Sequence, residues 1–196
     1  MTSTPPDEAH GRLWLAETLW RLGGLQFGDF SLGRTARNSP VYLNAKVLLS
    51  RPDALKRTIE QITEELELGM ARRTRTVDPF DGIAGVPIGG LYLATALALR
   101  MNRPLLYVRP PREADEVAAP HIEGIYRPGE RVLVIDDLAT GGGSLVETIV
   151  ALRDAGLMVS DAIVLFDREQ GAMRRLEGMG VRLHAILSLE VTLRHL

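Results

Sequence analysis

Residues 132–147 read Val-Leu-Val-Ile-Asp-Asp-Leu-Ala-Thr-Gly-Gly-Gly-Ser-Leu-Val-Glu, and the rest of the chain can be understood from this segment. Its first four residues are apolar, which is typical of a strand covered on both faces. Asp136 and Asp137 follow at the C-terminal end of that run. The segment therefore predicts a buried strand that ends in a pair of carboxylates.

A glycine-rich turn comes directly after the acid pair. Thr140 and Ser144 flank three glycines, residues 141–143. Because glycine has no Cβ, consecutive backbone N–H groups in such a turn can converge on one point. Ser144 and Glu147 have the spacing of a Ser-x-x-Glu capping box, which predicts that a helix begins here with its N-terminus directed at the same point. The turn predicts an anion site beside two carboxylates.

The acid pair restricts the ligand that this site can take. A simple phosphate would be repelled by Asp136 and Asp137, so the ligand should carry a phosphate at one end and hydroxyls or a metal ion at the other. A ribose 5-phosphate meets both conditions. A Walker A loop is excluded because no lysine precedes Ser144, and the dinucleotide fingerprint is excluded because Val146 occupies its third glycine position. The alternative is an ordinary strand-turn-helix whose glycines serve only the turn.

Residues 132–144 resemble the thirteen-residue phosphoribosyl pyrophosphate (PRPP) signature of the type I phosphoribosyltransferases. The resemblance implies an α/β protein with the type I phosphoribosyltransferase fold: a twisted, mainly parallel sheet flanked by helices, with a small N-terminal hood. We expect a single domain, residues 1–196, with the first helix and the hood in 1–46. The α/β core is then 47–196, with a mobile loop at 109–123.

The N-terminal segment narrows the resemblance to the orotate phosphoribosyltransferases. Residues 27–32 read Phe-Gly-Asp-Phe-Ser-Leu and residues 39–42 read Ser-Pro-Val-Tyr, which predicts two short extended pieces around a polar turn. These pieces are similar to the substrate-binding hood of that family, where a lysine after the first piece and aromatic residues after Ser-Pro help to bind substrate. Gly33 occupies the lysine position here. The resemblance therefore implies Arg34 and Tyr42 as orotate-binding residues.

A second strand-turn-helix lies upstream of the signature. The pattern runs strand, turn, helix, strand over residues 81–86, 87–90, 91–101 and 105–108, which predicts a parallel sheet with right-handed crossovers. Residues 87–90 read Pro-Ile-Gly-Gly, between the C-terminal end of a strand and the N-terminus of a helix. This turn is a second predicted anion site. In the family, the equivalent loop binds pyrophosphate.

The segment after Arg109 departs from the family pattern. The family has Arg-Lys-Glu here, with a further lysine three residues on, in a mobile loop that crosses to the partner subunit. Arg109 matches, both lysines are missing, and Arg112 supplies one of the missing charges in this interpretation. Glu113, Asp115 and Glu116 make the segment acidic, and acidic groups would oppose a departing pyrophosphate.

A third candidate segment follows the next apolar strand, residues 162–166. Residues 167–171 read Asp-Arg-Glu-Gln-Gly and resemble the family segment in which an arginine binds the orotate carboxylate. A guanidinium at the C-terminal edge of a strand suits a planar carboxylate. The alternative is a surface ion pair from Arg168 to Asp167 or Glu169. Other periodicities predict an amphipathic helix over residues 50–69 and a last strand over 180–187.

Composition agrees with a compact protein. A chain of 196 residues that is 45% hydrophobic and 24% charged suggests one α/β domain with a full core. It has no cysteine, so disulfides and thiolate metal sites are excluded. A net charge of −2 with few aromatic residues does not support a nucleic-acid surface. The sequence shows no apolar leader and no run of eighteen apolar residues, so we expect a cytoplasmic protein that does not contact membranes.

The resemblance implies transfer of the 5-phosphoribosyl group from PRPP to orotate, giving orotidine 5′-monophosphate and pyrophosphate in de novo pyrimidine (UMP) biosynthesis. A phosphoribosyltransferase for another nucleobase and a PRPP-binding protein with lost catalysis are the alternatives. The resemblance also implies a homodimer, and Mg²⁺ held mainly through PRPP, near Asp136 and Asp137, with no direct protein ligand. The expected catalytic residues are Asp136, Asp137 and Arg109. The expected PRPP-binding residues are Pro87, Ile88, Gly89, Gly90, Arg109, Arg112, Asp136, Asp137, Leu138, Ala139, Thr140, Gly141, Gly142, Gly143 and Ser144. The expected orotate-binding residues are Thr140, Arg168, Arg34 and Tyr42.

Overall fold

The computed structural model describes residues 12–32, 36–109 and 121–195, so the predicted contacts Arg34 and Arg112 lie outside the described residues. The helices are α1 Leu13–Arg21, a 3₁₀ helix Ala45–Ser50, α2 Pro52–Ala71, α3 Gly89–Met101, α4 Gly143–Asp154, α5 Ala172–Glu177 and α6 Leu189–His195. The strands are β1 Leu25–Leu32, β2 Ala36–Leu43, β3 Gly82–Gly85, β4 Leu105–Arg109, β5 His121–Glu123, β6 Val132–Ala139, β7 Asp161–Asp167 and β8 Arg182–Ser188.

The main sheet has the strand order β5-β4-β3-β6-β7-β8 within the described residues. All neighbouring pairs are parallel except β4 and β5, which are antiparallel at one edge. This confirms the predicted mainly parallel sheet. β6 lies in the middle of the sheet, between β3 and β7, so its C-terminal end is flanked by the ends of two other parallel strands.

Strand β6 is longer than its apolar run. It continues through Asp136 and Asp137 to Ala139, because Asp136 and Leu138 still pair with Val164 and Phe166 of β7. The acids lie in the C-terminal half of the strand, as predicted, and the strand extends two residues beyond them. Pairing with β7 holds the backbone of both acids in place.

Alternate residues of β6 pack against opposite layers of helices. Leu133 and Ile135 belong to one hydrophobic core with residues of α1, α2 and α3. Val132 and Val134 belong to a second core with residues of α4 and α5. This alternation is what a strand imposes, because successive side chains point to opposite faces of the sheet. The sheet is therefore covered on both faces, as the apolar run predicted.

Two helix starts differ from the sequence prediction. α4 begins at Gly143 after Gly142, whose φ is 74°, and no described side chain caps it. The predicted capping box of Ser144 was wrong, because the left-handed backbone of Gly142 starts the helix before Ser144. α3 begins at Gly89, two residues earlier than predicted.

The N-terminal strands form a separate two-stranded antiparallel sheet. Leu25 pairs with Leu43 and Gln26 pairs with Tyr42, which confirms the two predicted extended pieces. The 3₁₀ helix that follows β2 was not predicted. Across the described parts of the chain, none of the helices combines the length and apolar character needed to cross a bilayer.

An ionic cluster lies at the opposite, N-terminal edge of the main sheet. Asp161, at the start of β7, accepts hydrogen bonds from Arg182 Nε at 2.9 Å and from the backbone N–H of Asp78 at 3.0 Å. Its Oδ1 also lies 2.8 Å from Nε2 of His184. These contacts join the ends of β7 and β8 on the side away from the candidate site, so they stabilise the sheet.

Candidate active site

The three segments singled out in the sequence meet at the C-terminal edge of the sheet. Residues 86–88 follow β3, residues 140–142 follow β6 and residues 168–171 follow β7. Backbone hydrogen bonds join them: Val86 N donates to Ile135 O at 2.9 Å, and Arg168 N donates to Ala139 O at 2.9 Å. Ligands of open α/β sheets bind at this edge. The structure therefore places the predicted residues of these three turns in one region.

Asp136 and Asp137 form the buried centre of this region. Both residues are buried, and the backbone N–H of Asp137 donates to Asp136 Oδ1 at 2.8 Å. Burial, together with the charge of Asp137, raises the pKa of Asp136 well above its usual range. Two adjacent buried carboxylates favour a ligand that donates hydrogen bonds or carries positive charge.

Lys46 contributes a cation that the sequence analysis did not assign to the site. Its Nζ donates to Asp137 Oδ2 at 2.9 Å. The lysine side chain is 49% exposed and that of Asp137 is 8% exposed. Sequence reasoning missed this contact because 91 residues separate the partners. The available signal was a basic residue shortly after Ser-Pro-Val-Tyr.

Tyr92 of α3 is a second residue that the sequence analysis missed. Its phenol O–H donates to the carbonyl oxygen of Ala45 at 3.3 Å, which links α3 to the 3₁₀ helix. Burial, together with the charges of Asp137 and Asp136, raises the pKa of Tyr92. The phenol therefore stays protonated and can act only as a neutral hydrogen-bonding group near the acids.

The turn at residues 87–90 is shaped by its glycines. A Cβ on Gly89 would lie 2.2 Å from Oδ1 of Asp137, and one on Gly90 would lie 2.1 Å from the carbonyl oxygen of Ile135. The glycines therefore allow the first turn of α3 to pack directly against β6, which adds to their predicted role in ligand approach. The Pro87–Ile88 peptide bond is cis, and the Ile88 side chain is exposed.

The loop at residues 140–144 is open on one side. A Cβ on Gly141 or Gly143 would have no described atom within 4 Å. Arg175 of α5, which was not predicted, donates from Nη1 to the carbonyl oxygen of Gly141 at 3.3 Å. The loop thus leaves room for a ligand at the N-terminus of α4, where helix geometry favours an anion.

Arg168 connects the sheet edge to the hood. It is 4% exposed and donates from Nη2 to the carbonyl oxygen of Val41 in β2 at 3.2 Å. Burial lowers the pKa of its guanidinium. Because Arg168 is buried, the alternative of a surface ion pair does not describe it. Tyr42, next to Val41, stacks at a tilt on Phe30 with ring centroids 5.5 Å apart.

Arg109 lies at the end of β4, two strands from β6. Its Nε donates to Oε1 of Glu123 in β5 at 3.1 Å. In this structure the ends of the predicted mobile loop, Arg109 and residues 121–123, are thus strands that pair with each other. Glu123 thus holds the Arg109 guanidinium through Nε.

Comparison with known proteins agrees with this geometry. Residues 53–180 match the model of the phosphoribosyl transferase domain family. The chain is 38% identical to the orotate phosphoribosyltransferase of Cenarchaeum symbiosum over 172 residues, covering 86% of this chain and 82% of that protein. It is 37% identical to the orotate phosphoribosyltransferase of Aeropyrum pernix, covering 93% of this chain and 92% of that protein.

The fold is also similar to a solved structure. The crystal structure of the Aeropyrum pernix orotate phosphoribosyltransferase matches with a TM-score of 0.80 and 36% identity, covering 92% of this chain and 97% of that chain. Residues 132–144, from which the resemblance was first inferred, fall inside the matched family domain. The chain therefore belongs to the phosphoribosyltransferase family and, within it, to the orotate phosphoribosyltransferases.

Proposed function

We propose that this protein transfers the 5-phosphoribosyl group of PRPP to a ring nitrogen of orotate, giving orotidine 5′-monophosphate and pyrophosphate in pyrimidine (UMP) biosynthesis. The observation that carries the proposal is the meeting of three features at one sheet edge. These are the acid pair of β6, the open glycine loop after it, and the buried guanidinium of Arg168. Together they match a ligand with a phosphate, ribose hydroxyls and a carboxylate-bearing base.

The ribose 5-phosphate end of PRPP binds across β6 and the start of α4. Residues 140–144 receive the phosphate, because the N-terminus of α4 offers backbone N–H groups and the dipole favours negative charge. Asp136 and Asp137 accept hydrogen bonds from the ribose hydroxyls. Their negative charge also stabilises a ribosyl carbon that becomes positive during the reaction.

The pyrophosphate end of PRPP binds at the turn of residues 87–90. In the reaction the bond from the ribose C1 to the pyrophosphate oxygen breaks, a bond from C1 to the base nitrogen forms, and the proton of that nitrogen passes to the departing pyrophosphate. Negative charge therefore accumulates on the leaving group, and stabilising that charge matters more than moving protons. Arg109, whose Nε donates to Glu123, supplies positive charge to the leaving group.

Arg168 orients the base. A guanidinium can form two parallel hydrogen bonds to a carboxylate, which suits the ring carboxylate of orotate. Its burial and its contact with Val41 place this charge between the sheet edge and the hood. Thr140, Tyr42 and Arg34 complete the proposed base site.

Mg²⁺ is the cofactor that this chemistry needs. Among the described residues no group of three or more His, Asp or Glu side chains could hold a metal ion. Asp136 and Asp137 provide oxygen donors that suit Mg²⁺, but two residues alone leave most of its coordination sites to other oxygens. Asp136 and Asp137 would lie near the ion, PRPP would supply most of its other oxygens, and the bound ion would neutralise charge on the pyrophosphate. We further propose a homodimer and a cytoplasmic location.

Release of pyrophosphate tests the proposed reaction. Purified protein is incubated with PRPP, Mg²⁺ and orotate, and in parallel with uracil, adenine or hypoxanthine. Turnover of orotate alone supports the proposal. Turnover of another base would assign a different acceptor, and binding of PRPP without release would indicate a protein that has lost catalysis.

A further inference from the structure

Lys46 lies beside the acid pair of β6. Its ammonium group contacts Asp137 Oδ2, while half of the lysine side chain is exposed. An ammonium carries three N–H donors, and the bond to Asp137 uses one of them. The remaining donors can therefore serve a ligand that enters the pocket from the solvent side.

The backbone of Lys46 is held on two sides. Its N–H donates to Oδ1 of Asn44 at 3.1 Å, which caps the 3₁₀ helix. The neighbouring carbonyl of Ala45 accepts the hydrogen bond from Tyr92, and Leu48 of the same helix is fully buried. These contacts fix the position of the Lys46 backbone, so a different position of the ammonium requires only rotation of its own side chain.

Asp137 separates Lys46 from the turn at residues 87–90. Its Oδ2 accepts from Lys46, and its Oδ1 faces Gly89, whose ideal Cβ position lies 2.2 Å away. The ammonium and the first residue of α3 thus approach the same carboxylate. A pyrophosphate bound at residues 87–90 would therefore lie next to the carboxylate that Lys46 contacts.

The two carboxylates of the acid pair favour a cation such as Lys46 nearby when a phosphate ligand binds. A polyphosphate ligand entering beside two buried carboxylates is repelled unless positive charge is close. Lys46 offsets the charge of Asp137 before the ligand binds. When ribose hydroxyls also donate to Asp137, a phosphate oxygen of the ligand offers the ammonium a second charged acceptor.

We propose that Lys46 is a substrate-binding residue that contacts the pyrophosphate group of PRPP, exchanging its bond with Asp137 for one with a phosphate oxygen. This inference rests on the proposed function for the identity of the ligand. It differs from the roles of Arg109 and residues 87–90, because it assigns the contact to a residue of the 3₁₀ helix that follows β2.

The test compares two lysine substitutions. Lys46→Met keeps the length of the side chain and removes its charge. Lys56→Met is the matched control, because Lys46 and Lys56 are the two lysines of the sequence, and Lys56 is 79% exposed on α2 with only a 3.9 Å pair to Glu60. Binding of PRPP, inorganic pyrophosphate and orotidine 5′-monophosphate is measured by calorimetry in the presence of Mg²⁺.

The expected result depends on which ligand carries a pyrophosphate. Lys46→Met should lower the affinities for PRPP and pyrophosphate by about 10- to 100-fold, the range for one charge-assisted hydrogen bond. Orotidine 5′-monophosphate has no pyrophosphate, so its affinity should change by less than about threefold, which is within the range of near-neutral contacts. Lys56→Met should leave all three affinities unchanged, and Lys46→Arg should restore most of the pyrophosphate affinity.

Two results would overturn the inference. Equal losses for PRPP and orotidine 5′-monophosphate would mean that Lys46 only positions Asp137. The same conclusion would follow if Lys46→Met had no effect on pyrophosphate binding in an Asp137→Asn background, where the carboxylate that Lys46 contacts is gone. Wild-type protein that binds pyrophosphate through Lys46 but does not turn over orotate would contradict the proposed function and leave this inference standing.

Discussion

Gly90 packs against Ile135 so closely that a Cβ on residue 90 would lie 2.1 Å from the Ile135 carbonyl oxygen and 2.8 Å from Cα of Asp136. Both are backbone atoms of the central strand and cannot rotate away. Gly90→Ala should therefore push α3 away from β6, lowering the free energy of unfolding by about 1–3 kcal/mol, as overpacked cores do. Urea denaturation measures the stability, and PRPP turnover should fall with it.

Gly141→Ala provides the contrasting case. A Cβ there would have no described atom within 4 Å, so the free energy of unfolding should stay within about 0.5 kcal/mol of wild type. The added methyl group instead enters the space proposed for the 5-phosphate, so PRPP should bind more weakly. Unchanged PRPP affinity in a folded Gly141→Ala variant would place the phosphate elsewhere.

Arg168→Ala should weaken the binding of orotate far more than the binding of PRPP. Only orotate carries a ring carboxylate, and loss of hydrogen bonds to a charged group corresponds to about 10- to 100-fold in affinity. Steady-state kinetics with each substrate varied in turn separate the two KM values. Arg174→Ala, an exposed arginine on the neighbouring α5, is the control. Equal increases in both KM values would mean that Arg168 has another role.

Arg109→Ala should lower kcat by about 100-fold, because the guanidinium stabilises charge that develops on pyrophosphate. Loss of the ion pair with Glu123 is a separate effect of the same substitution. Glu123→Gln removes that ion pair and keeps the guanidinium, so it should retain most of the wild-type kcat. If Glu123→Gln reproduced the loss, the ion pair itself would be what the enzyme needs.

The Asp161 cluster should govern stability in acid. Burial acts to raise the pKa of Asp161, but hydrogen bonds from His184, Arg182 and the Asp78 N–H outweigh it, so the pKa in the folded protein is lowered from 3.8. A lowered folded pKa gives stability that is fully present above the unfolded pKa and is lost as pH falls through the folded value.

Asp161→Asn removes this contribution. At neutral pH the substitution should lower the free energy of unfolding by about 1.5–3 kcal/mol, the range for hydrogen bonds to a charged group. Below about pH 4 the free energy of unfolding of the variant should depend less on pH than that of the wild type. Urea denaturation at a series of pH values from 3 to 8 checks both effects. If the variant lost stability in acid as steeply as the wild type, other carboxylates would determine the pH dependence.

The sequence predicted the parts of the fold that depend on local pattern. The apolar run of β6, the glycine turn after it and the strand before Arg168 are contiguous segments whose residue types determine their conformation. Their assembly at one edge followed from the rule that parallel strands share a carboxyl edge. The three turns of the candidate site could therefore be predicted from the sequence.

What could not be predicted depends on distant contacts. Lys46 reaches Asp137 across 91 residues, and no periodicity encodes such a pair. The Glu123 partner of Arg109 required knowledge that β5 pairs antiparallel with β4. The capping box failed for a different reason, since the left-handed φ of Gly142 competes with Ser144 for the start of the helix.

The hydrogen bond from Arg168 to Val41 joins two segments that are 127 residues apart. Engineering this scaffold for a different acceptor would therefore require paired changes in β2 and after β7. A library confined to either segment alone would leave the other half of the recognition surface shaped for the original molecule.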